Sequence, residues 1–406
     1  MIQFPHDFLW GAATSAYQVE GQNLYSDWWE WEKKSKFKDL SGFACRHYEL
    51  YKEDFALASQ LNHNALRLSI EWSRIEPEEG KFSQAELEHY LKVITSLREH
   101  HLEPIVTLHH FTNPLWFSQK GGWQSRSSSK YFLRYVQYVT EALSTKVRFW
   151  MTINEPQVYL YHGFISGAWP PQEKSFLKAR LAENNLITAH INSYSTIHEL
   201  YRKKNLTPPL VSFANHMQAF VPCNLSWRNK LAVKIRDRLF NFGILEKFIR
   251  SKALDFIGVN YYSRSLVELH GLGMLRFFTD TCSQNHHPLK KNSLGWDIYP
   301  QGLYDLLLKL KKYQLPIMIT ENGICTDDDN LRWEFIREHL KNICLAMEKG
   351  ADVSGYLYWS LIDNFEWDKG FTPRFGLIEV DYQTYERKIR ESGRKFSLVC
   401  KTGKLQ

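Results

Sequence analysis

Two glutamates are set apart by where they fall. Glu155 follows Asn154 directly after the apolar run Val147–Ile153, and Glu321 stands with Asn322 directly after the run Pro316–Thr320. Other polar and aromatic groups sit at the ends of similar runs. His110 follows Pro104–His109, and Tyr261 and Tyr262 follow Asp255–Asn260. Asp363, Asn364, Glu366 and Trp367 come shortly after Ser354–Trp359, and Arg67 lies within Ala65–Ile70. Two carboxyl groups held in one site are what cleavage of a glycosidic bond requires. One protonates the departing oxygen; the other attacks the anomeric carbon or activates a water. A separation of ~5–5.5 Å gives retention of configuration and roughly 6.5–9.5 Å gives inversion. The sequence supplies no such distance. A glutamate at a strand end also serves as a structural cap, so either residue alone is compatible with a purely structural role.

The elements that must position these groups are legible. Eight apolar runs of about five or six residues punctuate the chain: Phe8–Ala13, Ala65–Ile70, Pro104–His109, Val147–Ile153, Leu210–Asn215, Asp255–Asn260, Pro316–Thr320 and Ser354–Trp359. Continuous apolar character is the mark of strands buried on both faces, as in a parallel sheet covered by helices. Helical spacing fills the intervals, as in Gln84–His100, Tyr131–Leu143 and Leu331–Lys349. Eight strand–helix units predict an α/β fold, a single (β/α)8 TIM barrel over residues 1–406, with its site at the C-terminal ends of the strands. The run Leu210–Asn215 carries the weakest strand signal.

Composition narrows the function classes. The excess of 51 basic over 44 acidic residues is mild for 406 residues, and no basic arm or basic-aromatic repeat points to nucleic acid. No apolar run approaches the ~20 residues of a membrane span. Aromatic residues make up 15% of the chain, enough to supply sugar-stacking faces as well as core. Six dispersed cysteines, Cys45, Cys223, Cys282, Cys325, Cys344 and Cys400, show no metal-ligand spacing. They read as free thiols of a reducing compartment. With no leader-like N-terminal pattern, a cytoplasmic protein is expected. No metal or cofactor is expected, and the partner expected from two carboxyl groups in one site is a small-molecule glycoside or oligosaccharide. Oligomeric state is not encoded legibly.

Several segments together carry a resemblance. Phe8–Gly21 (FLWGAATSAYQVEG), Arg67–Ile75 (RLSIEWSRI), Thr152–Pro156 (TINEP), Gly295–Pro300 (GWDIYP), Ile319–Gly323 (ITENG) and Tyr358–Trp367 (YWSLIDNFEW) resemble, in order, the motifs of family 1 glycoside hydrolases. The matches run from Phe4 to about Asp381. The resemblance implies a retaining β-glycosidase, β-glucosidase-like, acting on terminal β-D-glucosyl and also galactosyl or fucosyl residues through a covalent glycosyl-enzyme. It implies Glu155 as acid/base and Glu321 as nucleophile. Asn154 would hold the sugar 2-hydroxyl; Gln18, His110, Glu366 and Trp367 would bind outer hydroxyls, and Trp359 would form the sugar platform. Arg67 and Tyr262 would hold Glu321 ionised and aimed, while Glu155, facing a second negative charge, would start protonated. His109 competes with His110 for its role, Trp359 and Arg67 each have a structural alternative, and Phe375 is a further stacking candidate.

The sequence departs from the family pattern in places. Phe111-Thr112 stands where many members carry Trp-Asp after the sugar-binding histidine. The loops after Trp169-Pro170-Pro171 and through Cys282–Asn292 read as short, which implies an open entrance. Three rival readings use the same scaffold: a 6-phospho-β-glycosidase, a transglycosylase, and a non-catalytic carbohydrate- or protein-binding relative. Glu366 and Trp367 oppose a phosphate at the 6-position, Lys369 nearby favours it, and the presence of both glutamates opposes the non-catalytic reading.

Overall fold

The computed structural model describes residues 2–35, 39–269, 282 and 288–405. Eight strands follow one another around a closed parallel barrel: β1 (Leu9–Ala13), β2 (Ala65–Ser69), β3 (Glu103–Thr107), β4 (Phe149–Asn154), β5 (Leu210–Pro222), β6 (Ile257–Val267), β7 (Ile317–Asn322) and β8 (Val353–Trp359). β8 pairs back onto β1, which closes the ring. All eight expected runs are strands, Leu210–Asn215 included. The expected helices form over Gln84–Glu99, Ser128–Leu143 and Asp329–Glu348. Ser83 and Asp328 cap the first and third of these by accepting backbone N–H groups, which fixes where they begin.

Alternation along the strands sorts the core into two parts. Ala65, Ile105, Met151, Ala214, Met318 and Leu357 fill the barrel. Their neighbours Leu66, Val106, Trp150, Val211, Phe213, Ile317 and Ile319 belong to the large outer core shared with the helices. Both faces are therefore buried, which is why the runs lack a polar alternate.

The regular pairing breaks near the strand exits. Register shifts fall between Met151 and Asn154 of β4, Val259 and Asn260 of β6, and Ile319 and Asn322 of β7. On β4 the shift has a visible result. Met151 faces the barrel, yet Thr152 bonds outward to His190 and Ile153 packs in the outer core, so Asn154 turns inward. Gly323 permits another close approach: a Cβ there would lie 1.8 Å from the Trp359 carbonyl oxygen.

Two features differ from the sequence reading. β5 and β6 run to 13 and 11 residues, because they continue pairing past the barrel as a two-stranded ribbon. At its end Cys223 forms a disulfide with Cys282 across a sequence separation of 59, with Cα atoms 5.6 Å apart. The expectation of six free thiols is thus corrected; Cys45, Cys325, Cys344 and Cys400 remain free. The extension of β5 carried Cys223 to a partner that spacing did not reveal. Residues 283–287 of the segment Cys282–Asn292, expected to be short and open, lie outside the described residues. Among the described residues no helix is long and apolar enough to cross a membrane.

Candidate active site

A cavity of about 520 Å³ opens at the C-terminal ends of the strands and is lined by Glu155 and Glu321 together with His110, Asn154, Tyr262, Trp359, Glu366 and Trp367. Its floor is organised by one arginine. Arg67, fully buried on β2, donates through Nε to Thr107 Oγ1 on β3 (3.0 Å) and through Nη2 to Asn154 Oδ1 on β4 (2.7 Å). Its Nη1 forms an ion pair with Glu321 Oε1 on β7. The planar fork thus ties four strands together and fixes one oxygen of Glu321. Tyr262 donates to the other, Oε2, at 2.6 Å.

Glu155 is held differently. Its φ of +42° lies in the left-handed region, uncommon for a residue with a side chain, and it turns the chain from β4 into the short helix Pro156–Leu160. Asn260 Nδ2 donates to Glu155 Oε1 at 2.7 Å and to Asn154 Oδ1 at 3.1 Å. Thr320 fixes that amide by donating to Asn260 Oδ1 (2.6 Å). His216 Nδ1 lies 3.1 Å from the same Glu155 Oε1.

The remaining wall comes from the first and last strands. Gln18 accepts from Ser15 Oγ (2.7 Å) and donates to Asn364 Oδ1 (3.0 Å), the Phe365 carbonyl (3.0 Å) and Glu366 Oε2 (3.1 Å). Trp367 lies parallel to Tyr17 (5.9 Å, 7°). The His110 ring lies nearly parallel to those of Trp359 and Trp367, 6.0 Å from each. Its Nε2 meets Asn154 Nδ2 at 3.1 Å, while Nδ1 is buried without a protein partner. His109 instead bonds Asn113 Oδ1 (3.0 Å) beside Trp123, outside the cavity. Phe375 lines the cavity 6.4 Å from the Tyr262 ring. Phe111 lines it too, while Thr112 turns away to Glu71. Lys369 is paired with Asp368 at 2.7 Å.

Burial and neighbouring charges set the proton affinities of the site. Burial pushes Glu321 up to about 7; Arg67 and the Tyr262 hydroxyl pull down and Glu155 pushes further up. Burial also pushes Glu155 up, but the charge and hydrogen bond of His216, with Asn260 and Arg67, outweigh it and hold Glu155 below the usual range. Glu366 is pushed up to about 8 by burial and then by the Glu321 charge, against hydrogen bonds from Gln18 and Trp359.

Every site residue expected from the sequence lines this cavity or directly supports a residue that does. His216 and Asn260 were missed, as were His162, Trp169 and Phe240 on the outer wall. The signal for His216 was available: it is the residue directly after the run Leu210–Asn215, the position that selected the other candidates.

An eight-stranded barrel with two buried carboxyl groups facing one cavity at its strand exits defines a class, the barrel enzymes that cleave glycosidic bonds. Comparison with known proteins fixes the family. The model of glycosyl hydrolase family 1 matches residues 1–243 and 212–404. A 1,4-β-D-glucan glucohydrolase of Thermotoga neapolitana is 31% identical over 452 residues, covering 100% of both chains. A 6-phospho-β-galactosidase of Lacticaseibacillus casei is 31% identical, covering 98% of both. The solved β-glycosidase from Pyrococcus horikoshii superposes with a TM-score of 0.93 at 40% identity, covering 100% of this chain and 96% of that one. The chain belongs to glycosyl hydrolase family 1 and is a glycoside hydrolase of that family's retaining type.

Proposed function

We propose that Glu321 is the nucleophile and Glu155 the acid/base of a retaining β-glucosidase that also accepts β-galactosides and β-fucosides. The observation that carries this reading is the unequal grip on the two carboxyl groups. Both oxygens of Glu321 are held, by Arg67 and by Tyr262, which aims a nucleophile. Only Oε1 of Glu155 is held, by Asn260 and His216. Oε2 is left to pass a proton.

In the first half-reaction Glu321 attacks the anomeric carbon, the glycosidic C–O bond breaks, and the departing oxygen takes the proton of Glu155 Oε2. In the second, Glu155 removes a proton from water, whose oxygen attacks the anomeric carbon and releases Glu321. Asn154, fixed by Arg67, offers Nδ2 toward the 2-hydroxyl. Gln18 and Glu366 offer one donor and one acceptor set to the outer hydroxyls, and His110 adds its imidazole beside Asn154. Trp359 and Trp367 supply flat apolar faces for the ring. Glu366 can accept from both the 4- and 6-hydroxyls, which supports relaxed gluco/galacto selectivity. When Glu321 is esterified its charge vanishes, and Glu155 then ionises more readily for its role as base.

The 6-phospho reading is favoured by the 6-phospho-β-galactosidase relative. Glu366 and Trp367 oppose it, and Lys369, its one sequence-level support, is already paired with Asp368. The reading further takes residues 1–406 as one catalytic unit of carbohydrate metabolism acting on small glycosides in the cytoplasm. The four free cysteines support that compartment and the Cys223–Cys282 bridge opposes it, so thiol titration of protein from its native source decides it.

The test is nitrophenol release from a panel of nitrophenyl β-glycosides, one of them a 6-phosphate, by wild type and Glu321→Gln. Glucoside turnover that falls by roughly 10³-fold or more in the variant is expected. Turnover of the 6-phosphate alone moves the assignment to the phospho-specific reading. Added acceptor sugars that divert most of the product would make the enzyme a transglycosylase. No turnover by folded protein would leave a non-catalytic binding protein.

A further inference from the structure

Among the described residues, His216 is the one imidazole in hydrogen-bond contact with Glu155 or Glu321. It sits on β5 just past the barrel rim, 13% exposed, in the wall of the same cavity. Its ring is fixed on two sides. It lies nearly parallel to Tyr262 (6.1 Å, 21°) and edge-on to Phe240 (5.9 Å, 87°). Nδ1 reaches Glu155 Oε1, and Nε2 lies 3.4 Å from the side-chain amide of Gln218.

The donor inventory fixes the direction of the first bond. An ionised carboxylate only accepts, so Nδ1 carries the hydrogen toward Glu155. Gln218 can donate its amide hydrogen to Nε2 of a neutral ring. A flip of that amide, which exchanges its oxygen and nitrogen, would accept from Nε2–H and suit an imidazolium. Gln218 can therefore satisfy both protonation states of the ring.

We propose that His216 is a positioning residue for the acid/base. It anchors Glu155 Oε1 so that Oε2 faces the glycosidic oxygen, and it makes Glu155 a stronger acid toward poor leaving groups. The proposal rests on the assignment of Glu155 as acid/base. His216 gains and loses no proton over the catalytic cycle. The proton moves from Glu155 Oε2 to the leaving oxygen and is replaced from water, while Nδ1–H stabilises the carboxylate formed in between.

Other charged groups face this pair. Arg67 approaches from β2, Glu321 from β7 and the Tyr262 hydroxyl from β6, with Glu366 beyond them. His162 faces both from the turn Tyr161–Ile165. Arg236 and the Asp368–Lys369 pair line the outer cavity. Of these, Arg67 and His216 are the cations that act directly on Glu155, and Arg67 is already committed to Glu321 and Asn154. The direction of the proton affinities agrees. Burial pushes the His216 imidazole down, but the Glu155 charge and hydrogen bond, with Glu321, raise it above its usual value.

The test separates acid catalysis from everything else in the site. Wild type, His216→Phe and His216→Asn are assayed from about pH 4 to about pH 9 on phenyl and 2,4-dinitrophenyl β-glucosides. Phenol needs a proton to leave, and dinitrophenolate leaves without one. In His216→Phe the alkaline limb of kcat/KM for the phenyl substrate should move up by about one pH unit. His216→Asn, which restores a neutral donor, should move it roughly half as far. The dinitrophenyl profile should stay in place. An unmoved alkaline limb with equal losses on both substrates overturns the proposal and makes His216 a cavity-wall residue. If His216→Phe does not fold, His216→Asn decides by the same criterion. Wild type inactive on both substrates would overturn the glycosidase reading itself, an outcome no His216 variant can mimic.

Discussion

Two buried arginine–carboxylate clusters serve opposite ends in this molecule. At the strand exits, Arg67 pairs with Glu321 beside a cavity. On the outside of the barrel, Arg387 pairs with Asp54 through Nε–Oδ1 (2.8 Å) and Nη2–Oδ2 (3.2 Å), and both side chains are fully buried. His47 Nδ1 adds a bond to Asp54 at 2.7 Å, and Arg387 also donates to the Cys45 carbonyl at 2.6 Å. Of this second cluster, His47 borders only a small cavity of about 10 Å³. Asp54 is pushed up by burial, but His47 and Arg387 outweigh this and hold it below its usual range. Glu321 has one guanidinium and a phenol against the same burial plus a second carboxylate, and it ends up at about 7. Burial of an ion pair is therefore no sign of function. What distinguishes the site is incomplete compensation next to open space.

The largest expected contrast is in activity. Arg67→Met should lower kcat/KM on a nitrophenyl glucoside by roughly 10³-fold, because Glu321 loses both its aim and its countercharge. Arg387→Met, assayed where it is folded, should stay within about threefold of wild type. A comparable loss in both would break the distinction between the clusters.

Stability should not follow activity. Each substitution leaves a carboxylate buried without its arginine, at a cost of about 3–5 kcal/mol in urea unfolding. A clearly smaller cost for Arg67→Met would sharpen the contrast, since the cavity lets water reach Glu321.

The pH dependence of stability should carry opposite signs. Asp54 binds protons less readily folded than unfolded. Its contribution is present above its unfolded value of about 3.9 and is lost as pH falls through the lower folded value. Asp54→Asn should flatten the acid side of a plot of urea midpoint against pH. Glu366 binds protons more readily folded, at about 8. The folded state then holds the extra proton, and stability falls as pH rises from about 4.3 toward that value. Glu366→Gln should remove part of that decline, and an unchanged slope would show that water relieves the burial of Glu366.

The smallest contrast lies between adjacent residues. His110→Phe should raise KM by about tenfold through the loss of one donor, whereas His109→Phe should show up mainly in the thermal midpoint. A KM effect of equal size in both would mean that the cavity wall moves as one piece.

Much of this was written locally. Each strand is a contiguous apolar run because both of its faces are buried. Glu155 and Glu321 follow their runs immediately because strand exits are where a barrel meets solvent. Such features depend on a few neighbouring residues, and the sequence alone determined them. Other features depend on distances between residues far apart in the chain, and only the tertiary structure decided those. The shift on β4 that turns Asn154 inward arises from pairing with β5. The lengthening of β5 and β6 arises from their pairing beyond the rim, and with it come the placement of His216 and the joining of Cys223 to Cys282. The pull of His216 on the proton affinity of Glu155 has the same origin. Burial and charge act through space, and His216 lies 61 residues from Glu155 in the chain but 3.1 Å from its carboxylate.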